Sequence, residues 1–101
     1  MKKYIVASSN GYNDMFRKIV DYFESYLKKK GCTHYSYNDY IVEPDFAGGG
    51  IRITLQWDDN ISETMVGDNI ASWFGSGVSY SRSWGNWNHQ ITIHVKEYRC
   101  R

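Results

Sequence analysis

Three histidines, two cysteines and a cluster of carboxylates are the side chains whose types could carry chemistry, and their spacing argues against most of it. His34, His89 and His94 do not fall at the HxxxH or HExxH spacing that sets two imidazoles on one metal. Cys32 and Cys100 lie outside any CxxC or Cys/His spacing that recommends zinc. A cysteine nucleophile needs an activating base held by a third group, and spacing alone supplies neither thiol with one. Asp58, Asp59 and Glu63 fall between a strand end and a helix start, where carboxylates can hold a divalent cation. The helix dipole favours acids at that place without any metal, and this is the stronger explanation. Gly48, Gly49 and Gly50 precede a strand rather than Lys-Ser/Thr and a helix, so they make no phosphate loop. No cofactor, no metal and no catalytic residue is expected.

The segment 78–89, VSYSRSWGNWNH, is richer in recognition chemistry. It sets Tyr, two Trp, Arg and His among Ser, Gly and Asn, the mix that binding loops favour. Gly85-Asn86 is a two-residue turn signal. A tight hairpin closed there pairs Trp84 with Trp87, Arg82 with His89, Tyr80 with Ile91 and Val78 with Ile93. Alternation then puts those residues with Val95 on one apolar and aromatic face, and Ser79, Ser81, Ser83, Asn88, Gln90, Thr92, His94 and Lys96 on a polar one. The apolar face changes from aliphatic at the base to Arg82, Trp84, Trp87 and His89 at the tip. A helix covering the base need not cover the tip, which then forms an amphipathic patch suited to binding. The competing explanation is a cross-strand Trp pair that merely stabilises the hairpin.

The elements that must position this patch follow from periodicity. KKYIVAS predicts an N-terminal strand, and SNGYND a loop with a helix cap at Asn10 or Asn13. Over 15–30 apolar residues recur at helical spacing, with Lys28, Lys29 and Lys30 in the last turn and Gly31 after it. THYSYNDYIVEP predicts a strand that breaks at Asn38-Asp39, by a bulge or as two pieces. IRITLQW alternates cleanly, with Ile51, Ile53, Leu55 and Trp57 inward. DDNISETMVGDNIASWFGSG predicts a second helix capped by Ser62, with Met65, Val66, Ile70, Trp73 and Phe74 as its stripe. Gly67 inside it costs about 1 kcal/mol unless close packing needs it. The order predicts one α+β domain over 1–101, a two-layer sandwich of about five mostly antiparallel strands with two helices on one face. Its element order is similar to the ferredoxin-like fold with an added C-terminal hairpin.

Bulk properties narrow the partners. The chain has 101 residues, 17% of them aromatic, with a formal charge of +1. Residues 1–31 hold seven Lys/Arg against three acids, 32–75 one against seven, and 76–101 four against one. The middle is acidic and no basic stripe runs the length of the chain, which weighs against duplex binding. The apolar run after the basic start is too short for a secretory signal, and nothing approaches the ~18–20 apolar residues of a membrane span. A cytoplasmic protein with no membrane partner is expected.

In its size, its MKKYIVASSN start, its Tyr/Asn/Ser-rich composition and its lack of catalytic motifs, the chain resembles the small inhibitors encoded by phages and mobile elements, of the anti-CRISPR and anti-defence kind. That resemblance implies a non-enzymatic protein that blocks a defence effector through surface contacts. The acidic stretch 39–68 is then suited to a basic, nucleic-acid-binding surface on the partner. The residues expected to bind are Arg82, Trp84, Trp87 and His89 at the tip, with Asp45, Asp58, Asp59 and Glu63 from the acidic stretch. The rivals are a nucleic-acid module using the lysines at the helix end with Arg99 and Arg101, and a small ligand-binding or enzymatic domain with a pocket near Trp57, Trp73 and Trp84. A free sheet edge offers a route to a homodimer.

Overall fold

The apolar alternation of IRITLQW and the apolar face of HQITIHV meet at the centre of the molecule. In the computed structural model, which describes the backbone of residues 3–42, 50–75 and 77–95 and the side chains of 13–41, 50–75 and 77–95, the elements run α1 (Lys3–Lys29), β1 (Tyr35–Tyr37), β2 (Ile41–Val42), β3 (Ile51–Trp57), α2 (Glu63–Phe74), β4 (Val78–Arg82) and β5 (His89–Val95). β3 and β5 pair antiparallel over seven residues, from Ile51↔Val95 to Trp57↔His89. Ile51, Ile53, Leu55, Trp57, Ile91, Ile93 and Val95 thereby fall on one face, and all are fully buried. Each such side chain contributes roughly 1.5–3 kcal/mol on leaving water, so this face is a large part of the core's stability.

Both helices cover that face. Ile19, Phe23 and Leu27 of α1 and Val66 and Ile70 of α2 join the same buried cluster. α1 ends in a Schellman closure: Cys32 N–H donates to Leu27 O at 2.9 Å and Gly31 N–H to Lys28 O at 3.0 Å, with Gly31 at φ 82°. Cys32 and Leu27 are both fully buried, the apolar contact that accompanies this motif. Ser62 caps α2 as expected, its hydroxyl accepting from the Thr64 and Met65 N–H groups.

The sheet is antiparallel and four strands wide, in the order β1-β3-β5-β4, with β2 also on β3. β1 pairs with the end of β3 (Tyr35↔Trp57) and β2 with its start (Ile41↔Arg52), so the two are pieces of one edge position. Their registers differ by one residue, the signature of a bulge at the Asn38-Asp39 break.

Three expectations change. The N-terminal segment, expected as a strand and a loop, belongs to α1 from Lys3 onward. Four apolar residues are too few to separate strand from helix by period, and each residue added to a formed helix gains a hydrogen bond at small cost. Without that strand the sheet has four positions rather than about five, and the ferredoxin-like order does not hold: the helix comes first, and two β-β units flank α2. Gly85-Asn86 does not close a tight turn either. Arg82 pairs with Ile91 and Val78 with Val95, two residues away from the expected register, leaving a loop at 83–88. A type I′ turn needs positive φ at both central residues, and neither Gly85 nor Asn86 has it. A shift of two preserves side-chain parity, so the faces of 78–82 and 89–95 stand as expected, while 83–88 leave the ladder.

Gly67 packs where a side chain has no room. A Cβ there would collide with the Tyr80 ring, whose hydroxyl donates to Asp68 Oδ1 at 2.9 Å. Gly67→Ala should therefore destabilise the protein by about 1–3 kcal/mol in urea denaturation, although alanine is the better helix former. In a Tyr80→Ala background the same change should cost less, because the obstructing ring is gone.

Candidate functional site

The end of the sheet where β3 stops and β5 starts gathers most of the expected binding residues. His34 lies one residue before β1 and Asp58 one after β3, so the Tyr35↔Trp57 pairing makes them neighbours. The His34 imidazole Nδ1 is 2.8 Å from Asp58 Oδ2. On the other side, the Asn88 backbone N–H donates to Asp58 Oδ1 at 3.1 Å, and the Asn88 side-chain amide donates to Asp58 O at 3.2 Å. The Asn88 N–H is the main cause holding the Asp58 carboxyl below the usual range, with His34 adding to it. Trp87 lies against the His34 ring with centroids 4.9 Å apart. The His34 and Asp58 side chains are 69% and 34% exposed, so their contact adds little stability. Its effect is positional: one carboxylate joins β1, β3 and the hairpin loop.

A second imidazole and carboxylate meet on the helix side of the sheet. His89 Nδ1 is 3.0 Å from Glu63 Oε2, and the His89 ring stacks on Trp57 with centroids 5.7 Å apart. Arg82 approaches Glu63 at 3.9 Å. Burial alone pushes the Glu63 carboxyl up, but the bonds from His89 and its own backbone N–H outweigh it, and the net direction is down. Trp57 is fully buried and donates its indole N–H to Ile61 O at 2.9 Å, fixing the approach to α2.

The loop is also gripped from the open face. Gln90 donates to Ser83 Oγ at 2.9 Å and to Trp84 O at 3.3 Å, while Gln56 donates to Gln90 Oε1 at 3.2 Å. Trp84 projects from this anchored loop and is 82% exposed. Asp58 and Trp87 thus meet around His34, and Glu63, His89 and Arg82 meet in a second cluster, with Trp84 on the loop beside them. Asp59 is exposed next to Asp58. Asp45 lies outside the described residues, as do Lys96, Arg99, Cys100 and Arg101. The expected Trp84–Trp87 pair does not form, because the loop register separates their roles. Sequence reasoning missed His34 and Asn88; their signal lies only in the β1–β3 pairing and the longer loop.

The chemistry this end can do is limited. Each imidazole orients one ring nitrogen on a carboxylate, as a general base would. The nearest thiol, Cys32, directs its S–H to His34 O at 3.7 Å, and burial pushes its pKa up, keeping it protonated. His89 and His94 occupy opposite faces as expected, His94 lying 3.3 Å from Ser81 Oγ. Among the described residues no three His, Cys, Asp or Glu side chains are placed to hold a metal ion. Nor do Trp57, Trp73 and Trp84 form one pocket: Trp57 is buried, Trp84 is on the loop, and the cavity at Trp73 includes neither. Among the described residues no helix is long and apolar enough to cross a membrane. Comparison with protein-family models, curated proteins and solved structures finds no match.

Both anchoring carboxylates have folded pKa values below their unfolded ones. Such groups contribute stability above the unfolded value of about 4 and lose it as pH falls through the folded value. Denaturation midpoints should therefore drop as pH is lowered below about 5. The slope should flatten in an Asp58→Asn/Glu63→Gln double variant, and an unchanged slope would place the acid sensitivity elsewhere.

Proposed function

We propose that the protein acts by binding another protein, as a stoichiometric inhibitor rather than a catalyst, with the 83–88 loop as its contact. The observation that carries this is Trp84: a large apolar ring, 82% exposed, on a loop tied down from both faces of the sheet. A Trp left in water contributes little to folding, while its burial in a partner's pocket is a frequent source of binding energy. Because the loop is already ordered, association does not bear the cost of ordering it. The flanking charges supply a rim: Arg82 on one side, and Asp59 beside the anchored Asp58 on the other. An acidic rim favours encounter with a basic surface, such as that of a nucleic-acid-binding defence effector. The inhibitor class rests on the resemblance in size and composition to phage-encoded anti-defence proteins.

Trp84→Ala isolates this reading because the side chain it removes is 82% exposed, and its melting curve should follow the parent's. From nuclease-treated bacterial lysate, the parent should retain a protein in stoichiometric amount, and Trp84→Ala at least about tenfold less of it. In a host that restricts a phage, expressing the parent should restore plating and the variant should not. Equal capture and equal plating by the two proteins would overturn the proposal.

A further inference from the structure

α1 and the C-terminal half of α2 leave a cleft between them that the hairpin site does not use. It encloses about 450 Å³, and its walls carry four aromatic rings: Tyr22 and Tyr26 of α1, Trp73 and Phe74 of α2. The Trp73 and Tyr22 rings stack with centroids 5.5 Å apart, and Phe74 meets Tyr22 edge-on at 5.9 Å. Trp73 is nonetheless 70% exposed, so its outer face is open to a further ring. An aromatic stack that ends in water is a platform for a planar group.

The polar side chains of the cleft select the kind of planar group. Lys18 and Lys29 stand at its two ends, eleven residues apart along α1, or roughly 16 Å at 1.5 Å per residue. Lys30 adds a third cation, its ammonium 5.5 Å from the Tyr26 ring centre. Lys18 is also ion-paired with Asp14 at 3.2 Å, which leaves Lys29 as the better probe. Of the carboxylates on α2, Glu63 is engaged by His89 and Arg82, and Asp68 accepts the Tyr80 hydroxyl. Asp21 and Ser25, midway along the cleft, offer an acceptor and a donor at the level of the stacked rings. Cations at both ends of an aromatic platform match a chain that alternates phosphates with flat bases. A cleft of about 450 Å³ has room for a few bases.

We infer that the α1–α2 cleft binds single-stranded nucleic acid, with a base stacked on the open face of Trp73 and phosphates on Lys29 and Lys18. This function is separate from the hairpin site and does not rest on it. A duplex hides the faces of its bases, so the cleft should discriminate against it.

The test titrates the full chain with a short, mixed-sequence single-stranded DNA at low salt, following Trp fluorescence and anisotropy. Binding should quench Trp fluorescence and weaken steeply with salt. Trp73→Ala should lose about tenfold in affinity, while Trp73→Phe, which keeps a ring, should lose less. Lys29→Gln should reduce the salt slope by about 0.7, the loss of one single-strand phosphate contact. Circular dichroism melts of the variants guard against misfolding, and Trp84→Ala should bind DNA like the parent. No binding at low salt would overturn the inference. So would equal affinity for duplex or for polyglutamate, which marks charge attraction alone, or an unaltered affinity in Trp73→Ala.

Discussion

Seven residues of antiparallel pairing between β3 and β5 set almost everything else in the molecule. The pairing puts Ile51, Ile53, Leu55 and Trp57 on one face with Ile91, Ile93 and Val95, all of them fully buried. Alternation then has one solution: the helices must pack on that side, and Arg52, Thr54, Gln56, Gln90, Thr92 and His94 must face the other. The open face satisfies its polar groups laterally, through Gln56–Gln90, Gln90–Ser83 and Thr92–Ser83 bonds. The last rung of the ladder, Trp57↔His89, is also the first floor of the hairpin site. Core and site are therefore one piece of geometry, since the ring that seals the end of the core is the ring on which His89 stacks.

That shared rung explains what the sequence made legible. Face assignments need only parity, and parity survived a hairpin closed two residues away from its expected register. The inward set Val78, Tyr80, Arg82, His89 and Ile91 was readable although the partner of each was misassigned. Turn type was not readable, because Asn and Gly permit positive φ without requiring it. Here the loop is instead held by Asp58, thirty residues from Asn88 in sequence, and by the Gln90 side chain reaching back across the loop. The break in THYSYNDYIVEP was legible, as a bulge or as two pieces, for the opposite reason: an extra residue disturbs the local alternation itself. The N-terminal run was illegible because its short apolar pattern suits either conformation, and the continuation of α1 decides between them.

The four tryptophans separate by environment into four roles that composition alone cannot distinguish. Trp57 is wholly buried and spends its one donor on Ile61. Trp87 lies on His34 and helps hold the loop, whereas Trp84, three residues earlier, faces water. Trp73 stacks one face on Tyr22 and leaves the rest exposed. Two of the four thus stabilise and two are presented. The same division applies to the acids of the middle segment: Asp58, Glu63 and Asp68 are oriented by internal hydrogen-bond partners, while Asp59 is exposed.

α2 links the two surfaces while keeping them apart. Its first residue, Glu63, anchors the hairpin end, and its last two, Trp73 and Phe74, wall the cleft. At 1.5 Å per residue its twelve residues place those contacts roughly 16 Å apart, beyond a Debye length at physiological salt. Electrostatic coupling between the ends is therefore weak, and only a rigid-body shift of the helix could join them. Such a shift is opposed by Gly67, where α2 approaches the Tyr80 ring so closely that not even a methyl group fits between them. A helix locked at its middle, capped by Ser62 and closed at Gly75, transmits little from one end to the other, so a ligand at either proposed surface should leave the other unaffected.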